Sequence, residues 1–366
     1  MQKILLSIIV IVLAIIGHAQ DMSPSEMKAH MQKEAQRSNP DYVCYIPESY
    51  DYSTHDSHNQ HFLVFEGPDG SLMAIWTQSL GMGKRDTRNH IVFSRSKDNG
   101  VTWLEPKHIA GPETLEDTTH IASWAFPMVT SSGRIYVLWN QNTGIGGRKY
   151  FHTGIMKGMY SDDKGKSWSS PQKIPLKHSP YYDDPEKKVP PEWIVWQNPM
   201  NDLSNNYFVG YSNWLKTKQA HISIVDTWTD MESVCEFMRF TNIQNNPEPK
   251  NIQITYSGWG KNALKVPHYK YPLMSLSQEP SIVRLPDERL FCVMRTNTSY
   301  IWYSVSDDDG RTWSNSRPLL RKDHGKPILQ PVSPCPIYQL SDGRYVLLHH
   351  NQKANRKVNA GIPRHP

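Results

Sequence analysis

The chain has 366 residues, of which 38% are hydrophobic and 20% charged, with 12 Trp and 18 Tyr. That composition excludes a disordered polymer. The formal net charge of +5 is spread without a run of five basic residues, which argues against nucleic acid or a membrane surface as partner.

Residues 1–19 read as a secretory signal. Lys3 supplies the charged start, residues 4–16 the apolar run, and Gly17-His18-Ala19 the small residues of a cleavage site before Gln20. The run is too short for a comfortable membrane span. The mature chain is therefore expected to be secreted or periplasmic, with no stable span. Export permits disulfides among Cys44, Cys235, Cys292 and Cys335. Cys292, inside the apolar run Leu290-Phe291-Cys292-Val293-Met294, reads instead as a core residue. Residues 20–54 form a leader. Ser23-Pro24-Ser25-Glu26 is a capping box that predicts a short polar helix to Arg37, stopped by Asn39-Pro40.

From 55 to 366 the text is strands and turns, read as one all-β domain. A turn followed by an alternating apolar strand occurs five times. The copies begin Asp69-Gly70, Ser132-Gly133, Asn205-Asn206, Asp287-Glu288 and Asp342-Gly343. Their second turn positions, 70, 133, 206, 288 and 343, are separated by 63, 73, 82 and 55 residues. An eight-residue box, Ser-x-Asp-x-Gly-x-Thr/Ser-Trp, occurs at 96–103, 161–168 and 306–313. Its Asp can bond back to nearby N–H groups, its Gly accepts positive φ, and its Trp is expected to lie over the turn. A fixed turn on a long period marks a repeat architecture. Steps of this size suit four-stranded propeller blades. The Pro- and Asn-rich stretches 179–193 and 242–272 are expected to be rim loops, where binding surfaces tend to sit.

The boxes, the turn–strand signatures and the export signal together resemble the bacterial sialidase (neuraminidase) superfamily over about residues 55–352. The resemblance implies a six-bladed propeller with five signatures visible and the last blade missing or atypical. A sharper match is the stretch Ser277-Gln278-Glu279-Pro280 through Arg295, which places a Glu and an Arg 16 residues apart around one turn. In the family such a Glu polarises a catalytic Tyr, and the Arg is one of three that clamp the sugar carboxylate. The residue types suit the chemistry. A carboxylate nucleophile would be repelled by the carboxylate on the anomeric carbon of sialic acid, so a neutral Tyr is used, an exception to the two-carboxylate rule. Guanidinium groups hold the substrate acid through bidentate bonds. The family's general acid/base lies on the loop after the first signature, where Asp86 is the one acid, flanked by Arg85 and Arg88.

The sequence departs from the family in three places. The leading Arg is absent from residues 58–65, where Arg85 or Arg88 is the available substitute. The third Arg is matched only by Arg356, and the chain reaches Pro366 before any last blade that would carry the Tyr. From residue type and position alone, Trp124, with His120 and Asn140-Gln141-Asn142, is a candidate lining for a sugar. The pairs His349-His350 and His58/His61 sit in no zinc motif, so no metal or cofactor is expected. The resulting expectation is an exo-acting glycoside hydrolase that removes a terminal acidic sugar, sialic acid first, from a glycan. Asp86 and Glu279 would be catalytic, and Arg295, Arg356, Arg88, Arg85 and Trp124 would bind substrate. A hydrolase or lyase for another acidic polysaccharide, or a glycan-binding propeller without catalysis, stands as the alternative.

Overall fold

The computed structural model describes residues 23, 25, 26, 29, 42–48, 56, 58–80, 88–114, 116–145, 154–215 and 231–354. The signal segment, most of the leader helix, Arg85, Asp86 and Arg356 lie outside the described residues.

Four blades follow one another along the chain. Blade 1 runs β1 His58–Glu66, β2 Leu72–Leu80, β3 Arg88–Ser96 and β4 Lys107–Ala110, antiparallel in sequence order. Blade 2 repeats this with β5 Ala122–Val129, β6 Ile135–Gln141, β7 Ile155–Ser161 and β8 Gln172–Lys173. In blade 3 the inner strand is split into β9 Trp193–Ile194 and β10 Met200–Asn201, both paired with β11 Tyr207–Trp214. That blade continues through β12 Ser233–Phe240 and β13 Ile254–Ser257. Blade 4 is β14 Gln278–Arg284, β15 Leu290–Arg295, β16 Trp302–Ser306 and β17 Arg317–Pro318. The fifth signature forms only the hairpin β18 Ile337–Gln339 and β19 Tyr345–Leu347. The architecture is thus all-β and propeller-like, but the described residues give four blades and a hairpin where the sequence led us to expect six blades.

The five signatures share one turn. Left-handed backbone falls at Gly70, Gly133, Asn205, Glu288 and Gly343, each with φ between 61° and 93°. The third start is therefore Asn205 rather than Asn206. Each turn closes with the same two backbone bonds, as in Gly67 N–H to Ser71 O at 2.7 Å and Gly70 N–H to Gly67 O at 3.0 Å.

The three boxes are superimposable in their bonding. In the first, Ser96 Oγ accepts from Gly100 N–H at 2.8 Å, and Asp98 accepts from the Thr102 N–H at 2.9 Å and its hydroxyl at 2.6 Å. The second and third repeat these contacts through Asp163 and Asp308. Bonds from the Thr102 and Ser167 hydroxyls hold Asp98 and Asp163 at about 2, below the usual carboxylate range. The glycines also seat one blade on the previous one. A Cβ on Gly165 would lie 2.5 Å from the Phe93 ring of blade 1, and one on Gly310 would lie 2.5 Å from the Phe208 ring of blade 3. The box Trp follows suit. Trp168 meets Phe93 edge-on at 5.3 Å and Trp313 stacks on Phe237 at 4.3 Å, so these two close a blade interface beyond their own turn. Trp103 does cover its own turn, donating Nε1–H to Gly100 O at 3.0 Å.

Because blades stack on both sides, the second strands are apolar on both faces: every residue of β6 is buried. The main core cluster joins side chains of blades 1 to 3, including Ile75, Phe126, Trp139, Trp193 and Phe240. Blade 3 has no box. Residues 241–253 instead lie on blade 2, where Gln244 Oε1 accepts from Ser131 N–H at 2.9 Å and Arg134 donates to Asn246 O at 2.8 Å. This part of the stretch expected to be a binding loop is interblade packing. Residues 42–48 pack Cys44 and Tyr45 on blade 1 beside Trp76 and Val92. The capping box of the leader is present, with Ser23 N–H donating to Glu26 at 2.9 Å. All four cysteines are free thiols, and Cys292 lies in the core.

Candidate functional site

Counting from the left-handed turn residue aligns the blades position by position. Nine residues earlier lie His61, Trp124, Trp196, Glu279 and Pro334; seven residues later lie Thr77, Asn140, Ser212, Arg295 and His350. Both sets sit at the end of each blade where the inner strand begins. Three of the inner strands carry the same defect there. The ladder breaks between Gln60 and Leu63, Ser123 and Phe126, and Gln278 and Ser281. In each, two residues oppose one, a β-bulge. The first bulged residue is left-handed although it is not glycine, with φ of 55° at His61, 53° at Trp124 and 49° at Glu279. Such backbone costs about 1–3 kcal/mol and concentrates at functional sites.

Seventh-position side chains fasten the bulges at Trp124 and Glu279 to the preceding blade. Thr77 Oγ1 accepts from Trp124 N–H at 3.1 Å, and Ser212 Oγ accepts from Glu279 N–H at 2.7 Å. Asn140 also ties blade 2 to blade 3, its amide donating to Trp193 O in β9 at 2.8 Å. Arg295 differs, because its Nη1–H donates within its own blade to Glu279 Oε1 at 2.6 Å. The two side chains are 1% and 3% exposed. The 16-residue spacing therefore brings this Glu and Arg together, as the hairpin argument predicted. Glu279 Oε2 is buried and accepts no hydrogen bond from a described residue. It is an acceptor available to a hydroxyl or to the proton of one. His350, the fifth member, pairs its Nε2 with Ser333 Oγ at 3.0 Å.

The other sequence candidates separate from this pair. Arg88 opens β3 at the same end of the propeller, but its Nη1–H is engaged by Asp117 O at 2.9 Å. Trp124 is 5% exposed, clustered with Ile194 and Trp214 and with Trp196 packed against them. Its ring is interior packing here rather than an open platform. Gln141 is spent on His120 O at 2.9 Å. Asp86, Arg85 and Arg356 lie outside the described residues.

Two buried polar groupings take roles that the sequence reading did not give them. His61 is buried against Trp196, with ring centroids 5.2 Å apart, and burial pulls its imidazole down to about 3. It is therefore neutral at physiological pH. In blade 3, Tyr211 O–H donates to Glu236 Oε2 at 2.6 Å, with Asn213 Nδ2 at 3.1 Å and Gly260 N–H to Oε1 at 2.8 Å. Burial pushes Glu236 up to about 7 against these stabilising bonds. Tyr211 and Glu236 face each other directly in the β11–β12 register and form a buried network within blade 3. The signal that could have revealed all of these is the fixed offset from the turn. No group of three or more His, Cys, Asp or Glu able to hold a metal occurs among the described residues. No helix there is long and apolar enough to cross a membrane.

The model of the BNR repeat-like domain matches residues 70–360. A search of curated proteins returns no match to this chain. Among solved structures, a protein of unknown function from Dyadobacter fermentans aligns with a TM-score of 0.54 at 14% identity, covering 84% of this chain and 77% of that one. The NanB sialidase of Streptococcus pneumoniae aligns with a TM-score of 0.55 at 14% identity, covering 83% of this chain and 58% of that one. The sialidase of Trypanosoma rangeli, solved with sialic acid, aligns with a TM-score of 0.52 at 12% identity, covering 80% of this chain and 43% of that one. The chain thus spans only about half the length of these two sialidases, and at such identities the likeness is one of fold. With the family model covering most of the chain, and with the boxes and blades described above, the chain belongs to the BNR repeat-like domain family and has a β-propeller-like fold similar to that of these sialidases.

Proposed function

We propose that this protein is a secreted, exo-acting glycoside hydrolase that releases a terminal acidic sugar, sialic acid first, from glycans. The observation that carries the reading is the buried Glu279–Arg295 pair on a left-handed bulge at the bulged end of the propeller. An arginine there supplies a fixed, permanently charged donor for a sugar carboxylate. Glu279, whose buried Oε2 has no hydrogen-bond partner among the described residues, would take up the proton of a hydroxyl nucleophile. Asp86 is assigned as the acid that protonates the leaving oxygen, with Arg85, Arg88 and Arg356 as further carboxylate contacts. The reading includes export through residues 1–19.

The test is fluorophore release from a 4-methylumbelliferyl sialoside by the folded protein beside Glu279→Gln, Asp86→Ala and Arg295→Lys. Turnover by the parent that falls about 100-fold or more in the first two variants supports the assignment. An Arg295→Lys variant that raises KM more than it lowers kcat supports carboxylate binding. A parent that is folded but inert on sialosides and on other acidic glycosides removes the catalytic assignment. In that case a glycan-binding propeller without turnover is the second reading.

A further inference from the structure

Beside the third box, on blades 3 and 4, lies a groove of about 670 Å³. Its walls are the segment that follows β13 and the third box. β16 starts at the end that carries Arg295 and runs away from it, so the box that follows β16 faces the far end of the propeller, whereas the segment after β13 runs back toward the bulged end as far as the Leu264–Cys235 bridge. Neither Glu279 nor Arg295 lines the groove.

The lining is cationic and donor-rich. Lys261, Lys265 and Arg311 all contribute to it, and no carboxylate does. Among the described residues none of the three forms an ion pair. Lys265 stands 5.9 Å from the Tyr182 ring, and Arg311 makes a single long bond to Asp308 O at 3.4 Å. Two neutral groups in the same wall are left without hydrogen-bond partners although their atoms are buried: Trp313 Nε1 and Ser316 Oγ. A buried donor left unmade costs about 1–3 kcal/mol. Trp313 cannot turn to relieve this cheaply, since its ring is stacked on Phe237 at 4.3 Å and 13°. Gly258 borders the same ring, and a Cβ there would come within 3.1 Å of it.

We propose that this groove binds a carboxylated oligosaccharide without cleaving it. Three unpaired cations meet the acid groups, and the indole N–H, the Ser316 hydroxyl and the Asn315 amide meet sugar hydroxyls. An acidic peptide would satisfy the cations alone. A nucleic acid would ask for open aromatic faces to stack on, and Trp313 has one face already covered. The inference is independent of which chemistry the axial pair performs.

The experiment is calorimetric titration of the full chain with a galacturonate hexasaccharide, beside the triple variant Lys261→Ser/Lys265→Ser/Arg311→Ser, Trp313→Phe, and Arg295→Ala. All three triple-variant positions are exposed, and Phe preserves the stack on Phe237. Losing three charge-assisted contacts should weaken binding by about tenfold or more, and losing the indole N–H by about threefold to tenfold. Arg295→Ala should leave this isotherm unchanged, and the triple variant should leave fluorophore release from a small glycoside unchanged. Absence of binding by the parent, or equal affinity in the triple variant, overturns the proposal. So does a poly-glutamate of the same charge that binds as tightly and depends on the same residues, since the groove is then a charge sink without sugar recognition.

Discussion

Gly310→Ala tests the idea that the box glycine is a seat for the preceding blade as well as a turn residue. Its φ of 82° alone costs an alanine about 1–2 kcal/mol. The new methyl would also stand 2.5 Å and 2.8 Å from two atoms of the Phe208 ring and 3.2 Å from Leu290. Phe208 is 1% exposed and stacked on Phe237, so it has nowhere to go. Overpacking of this kind adds about 1–3 kcal/mol, for about 2–5 kcal/mol in all. Gly100→Ala is the internal control. It has the same place in the first box and a φ of 90°, but its nearest neighbour would be Leu72 at 3.5 Å, an ordinary contact. Only the backbone cost of about 1–2 kcal/mol applies there. Urea unfolding followed by tryptophan fluorescence and by far-ultraviolet dichroism measures both. Equal losses in the two variants would refute the seating argument. A gap of about 1–3 kcal/mol, narrowed when Phe208→Leu is added to Gly310→Ala, is the expected result.

Arg295→Met should destabilise by about 3–5 kcal/mol because it leaves Glu279 buried without its ion-pair partner, while the double variant with Glu279→Gln recovers part of the loss; thermal melts decide. Thr77→Val and Ser212→Ala each leave a buried bulge N–H unbonded, and each should cost about 1–3 kcal/mol in the same unfolding assay. Glu236 titrates near 7 when folded against 4.5 for the free side chain, so the native state holds the proton more tightly. Its contribution to stability therefore falls by about 1.4 kcal/mol per pH unit from 4.5 to 7, and Glu236→Gln should remove that slope. His61 has the opposite sign. Its folded value near 3 lies below 6.5, so acidification below 6.5 costs about 1.4 kcal/mol per unit, a slope that His61→Gln should abolish in pH-dependent unfolding.

The blades were legible because their signals are local. Asp98, Asp163 and Asp308 bond within four residues of themselves, and the turn at Gly70 or Gly133 needs only its own backbone. The Glu279–Arg295 pair was legible because one hairpin connects them. What the sequence hid was set by neighbouring blades. The ring of Trp124 looked like a sugar platform until Ile194 and Trp214 were packed around it from the next blade. The stretch after Phe240 looked like a loop with no fixed partner, because Gln244 and Asn246 find theirs more than 100 residues away on blade 2. The bulges escaped notice because Trp124 and Glu279 are residue types that seldom adopt positive φ.

The seating of each box on the blade before it gives the molecule a direction. Gly165 needs Phe93 and Gly310 needs Phe208, whereas the first box meets Tyr42 of the leader. A blade emerging from the ribosome thus finds its template already made, and order can advance from the leader toward the fifth hairpin. Damage is expected to spread the other way with unequal effect. Loss of the last hairpin spares every earlier seat, while loss of residues 42–48 uncovers the surface on which the series begins.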